Sequence, residues 1–165
     1  MNLVTYLCSA VTGALFALAC GSALGQSLPT SSRTLTATAP AIAARAIVKV
    51  LKDAPCIFDV SAYGWGVENA CPSEIVSSVI VEQGALRQIV PLSAFADLAM
   101  PRSIKLSGVS PKSFTLAIVG GEAATSYTAF LKFNGIALVT RKVESGEFPK
   151  DSNETSTYRF NLTPR

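Results

Sequence analysis

Between residues 45 and 162 apolar and polar positions alternate in short runs, broken at intervals of about 8–12 residues by Gly, Pro, Asn, Asp or Ser, the rhythm of an all-β chain. No run carries the 3.6-residue apolar period over the length of an amphipathic helix. "RAIVKVLK" (45–52) alternates and is rich in Val and Ile; "CIFDVSAY" (56–63) sets Ile57 against Phe58 across a pleat. "EIVSSVIVEQ" (74–83) is apolar on both faces, as a strand inside a sheet is. "LRQIVPL" (86–92) contains Pro91, which restricts its end to an edge or a bulge. "SAFADLAMP" (93–101) breaks the rhythm, with Ser93 placed to cap a short helical turn that Pro101 stops. "RSIKLSG" (102–108) and "SFTLAIVGG" (113–121) add two more strands.

The sharpest local signal is "TSYTAFLKF-NG-IALVTRKV", two alternating runs joined by Asn134-Gly135. That dipeptide suits a two-residue type I′ turn, whose central positions both need positive φ. The turn predicts a register with Phe133 opposite Ile136, Leu131 opposite Leu138, Ala129 opposite Thr140 and Tyr127 opposite Lys142. Arg141, opposite Thr128, then falls on the solvent side with Lys132 and Phe130. Gly120-Gly121 turns the preceding strand into this hairpin, and "STYRFNL" (156–162) follows with Tyr158, Phe160 and Leu162 inward. About eight strands, closing in a C-terminal antiparallel meander with an Asn-Gly hairpin, predict an antiparallel β-sandwich. A small β-barrel is the alternative.

The region before residue 45 has a different texture. No charged side chain occurs before Arg33, and an apolar run from Val11 to Leu24 ends in the small residues Ala23 and Gly25. This is the pattern of a secretory signal peptide over 1–25, cleaved before Gln26, although no Lys or Arg precedes the apolar run. "ALAC" (17–20) resembles the lipobox of bacterial lipoproteins, with Ala17 where Leu is usual. The resemblance implies acylation of Cys20. Residues 26–44, rich in Ser, Thr, Ala and Pro, read as a flexible tether. A single β-sandwich domain over 45–165 follows. Secretion, or residence in a periplasm, is the expected location, with a membrane-anchored lipoprotein as the alternative. A membrane partner is expected only if Cys20 is lipidated or the leader is retained.

Cleavage at Gln26 leaves Cys56 and Cys71 as the only cysteines, an even pair in an exported chain, which reads as a disulfide. Closing a loop of that size stabilises by about 3 kcal/mol in the chain-entropy model. Fourteen basic residues against eleven acidic ones give a formal charge of +3. That balance lacks the clustered Lys and Arg of a nucleic-acid footprint, so no nucleic-acid partner is expected.

The chain has no histidine, which removes His-based nucleophile pairs, His metal sites and the usual proton carrier near neutral pH. No Ser-x-x-Lys motif occurs. Gly64-Trp65-Gly66 fails as a dinucleotide fingerprint, since Asn69 stands at the third glycine position and Pro72 follows. Asp151, Asn153 and Thr155 alternate like calcium ligands, but Ser156 and Leu162 occupy the required Gly and acid positions. Neither metal nor cofactor is expected. One hydrolytic chemistry stays open, a carboxylate pair drawn from Glu144, Glu147, Asp59, Glu68 and Glu74.

The remaining candidates are aromatic. Tyr63 and Trp65, between Gly64 and Gly66, make a stacking platform for a ligand or partner; the competing reading packs Trp65 on the Cys56–Cys71 disulfide. Phe148, beside Pro149 in the polar loop 141–151, is a second anchor for a partner or a plug for the sandwich end. These features predict a non-enzymatic, exported binding module whose partner is a protein or envelope component. The alternatives are a lipoprotein with a structural envelope role and, behind it, the carboxylate hydrolase.

Overall fold

The computed structural model describes residues 31–53, 64–67, 71–151 and 153–159. Among the described residues nine strands form two antiparallel sheets that face each other without closing into a barrel, so the β-sandwich holds. The first sheet is a four-stranded meander of β1 (Ser32–Ala39), β2 (Ala44–Lys52), β3 (Glu74–Gln83) and β4 (Leu86–Ile89). The second is a five-stranded meander of β5 (Pro101–Ser110), β6 (Ser113–Gly120), β7 (Tyr127–Asn134), β8 (Ala137–Ser145) and β9 (Asn153–Thr157). Among the described residues the only helical pieces are 3-10 turns, and none of the helices crosses a membrane's thickness.

Period-2 alternation builds the core directly. Ala44, Ala46, Val48 and Val50 of β2 face Phe114, Leu116 and Ile118 of β6 and Ala129, Leu131 and Phe133 of β7 within one apolar cluster. Phe114 and Phe133 stack across the β6–β7 pair with ring centres 5.0 Å apart. β3 has the expected bounds and the expected internal position. The four-residue β4 ends before Pro91 and lies at the sheet edge, where a proline removes no ladder hydrogen bond.

The tether prediction for 26–44 fails over residues 32–44. β1 pairs with β2 from Ser32–Leu51 to Ala39–Ala44, so the folded domain starts well before residue 45. Thr34, Thr36 and Thr38 point outward while Arg33, Leu35, Ala37 and Ala39 turn inward. β-branched threonines suit such a strand, but one large apolar residue in eight conceals it from periodicity. Arg33 anchors the strand: its guanidinium grips both Glu74 carboxylate oxygens at 2.5–3.2 Å and also donates to the Pro101 carbonyl. β1 is thereby tied to the starts of β3 and β5.

The hairpin register also differs. The two turn residues are Gly135 and Ile136, not Asn134 and Gly135, and only Gly135 has a positive φ, +57°. Phe133 therefore pairs with Leu138, and a bulge follows in which Val139 is the unpaired extra residue before Lys132–Thr140. Past the bulge the side-chain phase of β8 is inverted. Arg141 and Val143 face the core, and the predicted outward Arg141 is wrong for that reason. A matching bulge at Ser77 shifts β3 between Val76 and Val79, and the Ser77 hydroxyl donates to the Lys49 carbonyl at 3.1 Å.

Two smaller differences concern loops. The 3-10 turn at 93–101 spans Leu92–Ala94, so Ser93 lies inside it and is not its cap. The last strand begins at Asn153, three residues earlier than predicted, and puts Asn153 and Thr155 in a ladder with β8 instead of a calcium loop. The predicted strand 56–63 and the residues Phe160 and Leu162 lie outside the described residues.

Candidate functional site

Residues 64–67 belong to the connection between β2 and β3 and pack against residues 97–99, in the segment that leaves the first sheet after β4 and enters the second at β5. Residues 98–100 pair with the start of β3, Val76 N–H donating to Leu98 O and Met100 N–H to Glu74 O. Trp65 extends this ladder outward. Its N–H donates to the Asp97 carbonyl at 3.2 Å, and Ala99 N–H donates back to the Trp65 carbonyl at 3.0 Å. Gly66 makes the close approach possible. At φ +96° a Cβ there would lie 2.3 Å from the Ala99 carbonyl oxygen and 2.9 Å from the Tyr127 ring.

Beneath this backbone lies a polar cluster that sequence reasoning did not identify. Arg141 is 1% exposed. It donates from Nε to Ala94 O at 3.2 Å, from Nη1 to Glu154 at 2.5 Å, and from Nη2 to Asp97 at 2.5 Å. The arginine is buried while both carboxylates reach solvent, Asp97 at 30% and Glu154 at 46% side-chain exposure. Asp97 Oδ1 is itself buried and has no hydrogen-bond partner among the described residues. Trp65 Nε1 donates to the other Glu154 oxygen across a long 3.4 Å. The half-buried Trp65 ring meets Tyr127 at 6.5 Å, tilted 58°. Tyr127 is buried and donates its hydroxyl to Ala99 O at 2.9 Å. Burial, followed by the negative charge of Asp97, raises its pKa well above the ordinary phenol value, so the hydroxyl remains a donor.

Two shallow clefts open beside Trp65 as outlined by the described residues. One, of about 270 Å³, is lined by Gly64–Val67, Ala124–Ser126 and Ser145. The other, of about 340 Å³, shares Gly66, Val67 and Thr125 and extends to Cys71, Pro72 and Met100. Polar side chains and backbone dominate the first. Ser145 ends β8, and Phe148, three residues further on, is 60% exposed in the loop before β9.

The structure therefore places Trp65 on a braced platform and Phe148 in solvent, on a loop that starts at the first cleft. Tyr63, Cys56 and Cys20 lie outside the described residues. Cys71 is disulfide-bonded and borders the second cleft. Of the carboxylates considered for hydrolysis, Glu74 is held by Arg33 and Lys52, and Glu144 by Lys142. Glu147 lies in the exposed loop, and Asp59 and Glu68 fall outside the described residues. Among the described residues no cluster of metal-ligating side chains occurs.

The fold and this end define a two-sheet antiparallel sandwich with an arginine-braced aromatic edge. The chain matches no known protein-family model, no curated protein and no solved structure.

Proposed function

We propose that this chain is an exported, non-enzymatic binding module that recognises a protein or envelope component through Trp65 and Phe148, with Tyr63, the second residue before Trp65 in the sequence, as a further anchor. The observation that carries the reading is the pairing of an exposed aromatic with a preorganised one. Phe148 stands 60% exposed in the loop that follows the cleft residue Ser145, while Trp65 is fixed by its backbone ladder, by Tyr127 and by Glu154. Aromatic side chains on a rigid support lose little conformational freedom on binding, which is why such residues anchor interfaces. The disulfide of Cys71 fits this reading with Cys56 as its partner and secretion or the periplasm as its compartment.

The test is co-sedimentation of the exported chain with isolated cell envelopes. Saturable binding that Phe148→Ala weakens about tenfold, with melting unchanged, supports the module. Failure to bind, or binding indifferent to Phe148, refutes it. The lipobox-like sequence ending at Cys20 favours a second reading, an envelope lipoprotein whose role is structural. It requires the native chain to carry an acylated Cys20 and to fractionate with membranes without a partner.

A further inference from the structure

The outer face of the five-stranded sheet takes no part in the site above, and its composition is specific. Phe130 occupies its centre on β7, paired with Ala117 of β6 on one side and Lys142 of β8 on the other. Ala117 pairs in turn with Lys105 of β5, so the row across four strands reads Lys, Ala, Phe, Lys. One step along the strands a second row carries Lys132 between Thr115 and Thr140. Lys105 lies two strands from the ring, on the side away from Lys142, while Lys132 follows Phe130 two residues along β7; strand spacing sets Lys105 and Lys132 about 12 Å apart. Both are exposed, and neither makes an ion pair among the described residues. The acid on this face, Glu144, is already engaged by Lys142.

We propose that this face binds an acidic polysaccharide, one sugar ring lying on Phe130 and its carboxylates or sulfates meeting Lys105, Lys132 and Lys142. Charge complementarity selects an anion, because two of the three lysines are uncommitted. Flatness selects a sugar polymer over a bilayer: Phe130 and Val119 are only half-exposed, as are the neighbouring Thr115, Thr128 and Thr140, and no fully exposed large apolar side chain lies at the centre of the face. Ala117 beside the ring leaves its flank open, as stacking on a ring face requires. The outer face of the other sheet is the internal comparison. There Arg45 and Lys49 are likewise exposed and outside any ion pair among the described residues, Glu82 lies 3.8 Å from Arg87, and no aromatic is present among the described residues, so the two faces differ in the aromatic and not in free cations. The inference does not depend on the Trp65–Phe148 reading.

The experiment is affinity electrophoresis of the full exported chain in gels containing polygalacturonate, neutral dextran or no polymer, with phosphatidylglycerol vesicles assayed in parallel by flotation. Retardation by polygalacturonate alone, weakening with salt, is the expected result. The Lys105→Gln/Lys132→Gln double variant is expected to lose about tenfold in apparent affinity and Phe130→Leu about threefold, each with an unchanged melting temperature. Arg45→Gln/Lys49→Gln on the other sheet is expected to lose less than about twofold. No retardation, equal losses from the two sheets, or an unaffected Phe130→Leu variant overturns the proposal. Stronger capture by vesicles than by polygalacturonate overturns the ligand class.

Discussion

Arg141 Nη2 lies 2.5 Å from Asp97 Oδ2, and this contact joins the eighth strand of one sheet to the segment that leaves the other. The pair is lopsided: the cation is buried, whereas the anion keeps contact with water. Removing Asp97 leaves a guanidinium with half its compensation in a dry site. Removing Arg141 releases two carboxylates that can rehydrate. Asp97→Ala is therefore expected to cost about 3 kcal/mol and the volume-conserving Arg141→Met only about 1–2 kcal/mol. The double variant should cost less than the sum by about 1 kcal/mol or more. Urea unfolding of the four proteins measures this, and strict additivity would dissolve the cluster as a unit.

Arg33 performs the corresponding task at the opposite edge, where it holds Glu74. Its hydrogen bonds and charge, opposed by partial burial and aided by Lys52, lower the Glu74 pKa below 4.5. A depressed folded-state value means that the stabilisation is complete above the unfolded pKa and disappears as pH falls through the folded one. Stability should therefore decline below about pH 4.5. Glu74→Gln should flatten that part of the acid limb and lower stability at pH 7 by about 1–2 kcal/mol. Denaturant midpoints collected from pH 7 to pH 3 provide the comparison.

Gly66 admits no side chain. Its φ of +96° and the 2.3 Å approach of a Cβ to the Ala99 carbonyl mean that alanine must push Trp65 away from residues 97–99. Gly66→Ala is expected to cost more than about 2 kcal/mol. It should also red-shift the tryptophan emission as the ring leaves Tyr127.

Tyr127 supplies a cleaner hydrogen-bond measurement. Tyr127→Phe keeps the ring and removes the donor to Ala99 O, leaving a buried carbonyl unpaired, for an expected loss of about 1–2 kcal/mol. Because the folded-state pKa is raised, that contribution is complete below the unfolded value near 10 and declines above it, disappearing as pH rises through the higher folded-state value. In an ultraviolet titration of the native protein, Tyr127 should be the tyrosine that ionises only on alkaline unfolding.

Most of the sandwich was readable because each strand buries one face, so Ala44 to Val50 and Phe114 to Ile118 announce themselves by alternation. β1 was hidden because threonine and alanine supply backbone pairing and small inward contacts without a large apolar stripe. The bulges were harder. A bulge inverts every later side chain, and its position is settled by packing against the other sheet, not by the turn dipeptide. One clue existed: Leu138 and Val143 are five residues apart and cannot share a face of a regular strand. With Leu138 and Val143 both inward, Arg141 turns inward as well, and a buried arginine demands carboxylates. Trp65 and Phe148 could be picked out as residue types, but their support by Asp97, Glu154 and Tyr127 depends on contacts between distant parts of the chain.

Trp65 is the only tryptophan in the chain, so its fluorescence reports on the candidate site alone. The most direct test is to titrate the purified protein with fractionated envelope extract while following that emission. A saturable shift that Phe148→Ala weakens about tenfold would bear out recognition through this end of the sandwich. Envelope binding that saturates while the Trp65 emission stays unchanged would place recognition elsewhere and contradict it.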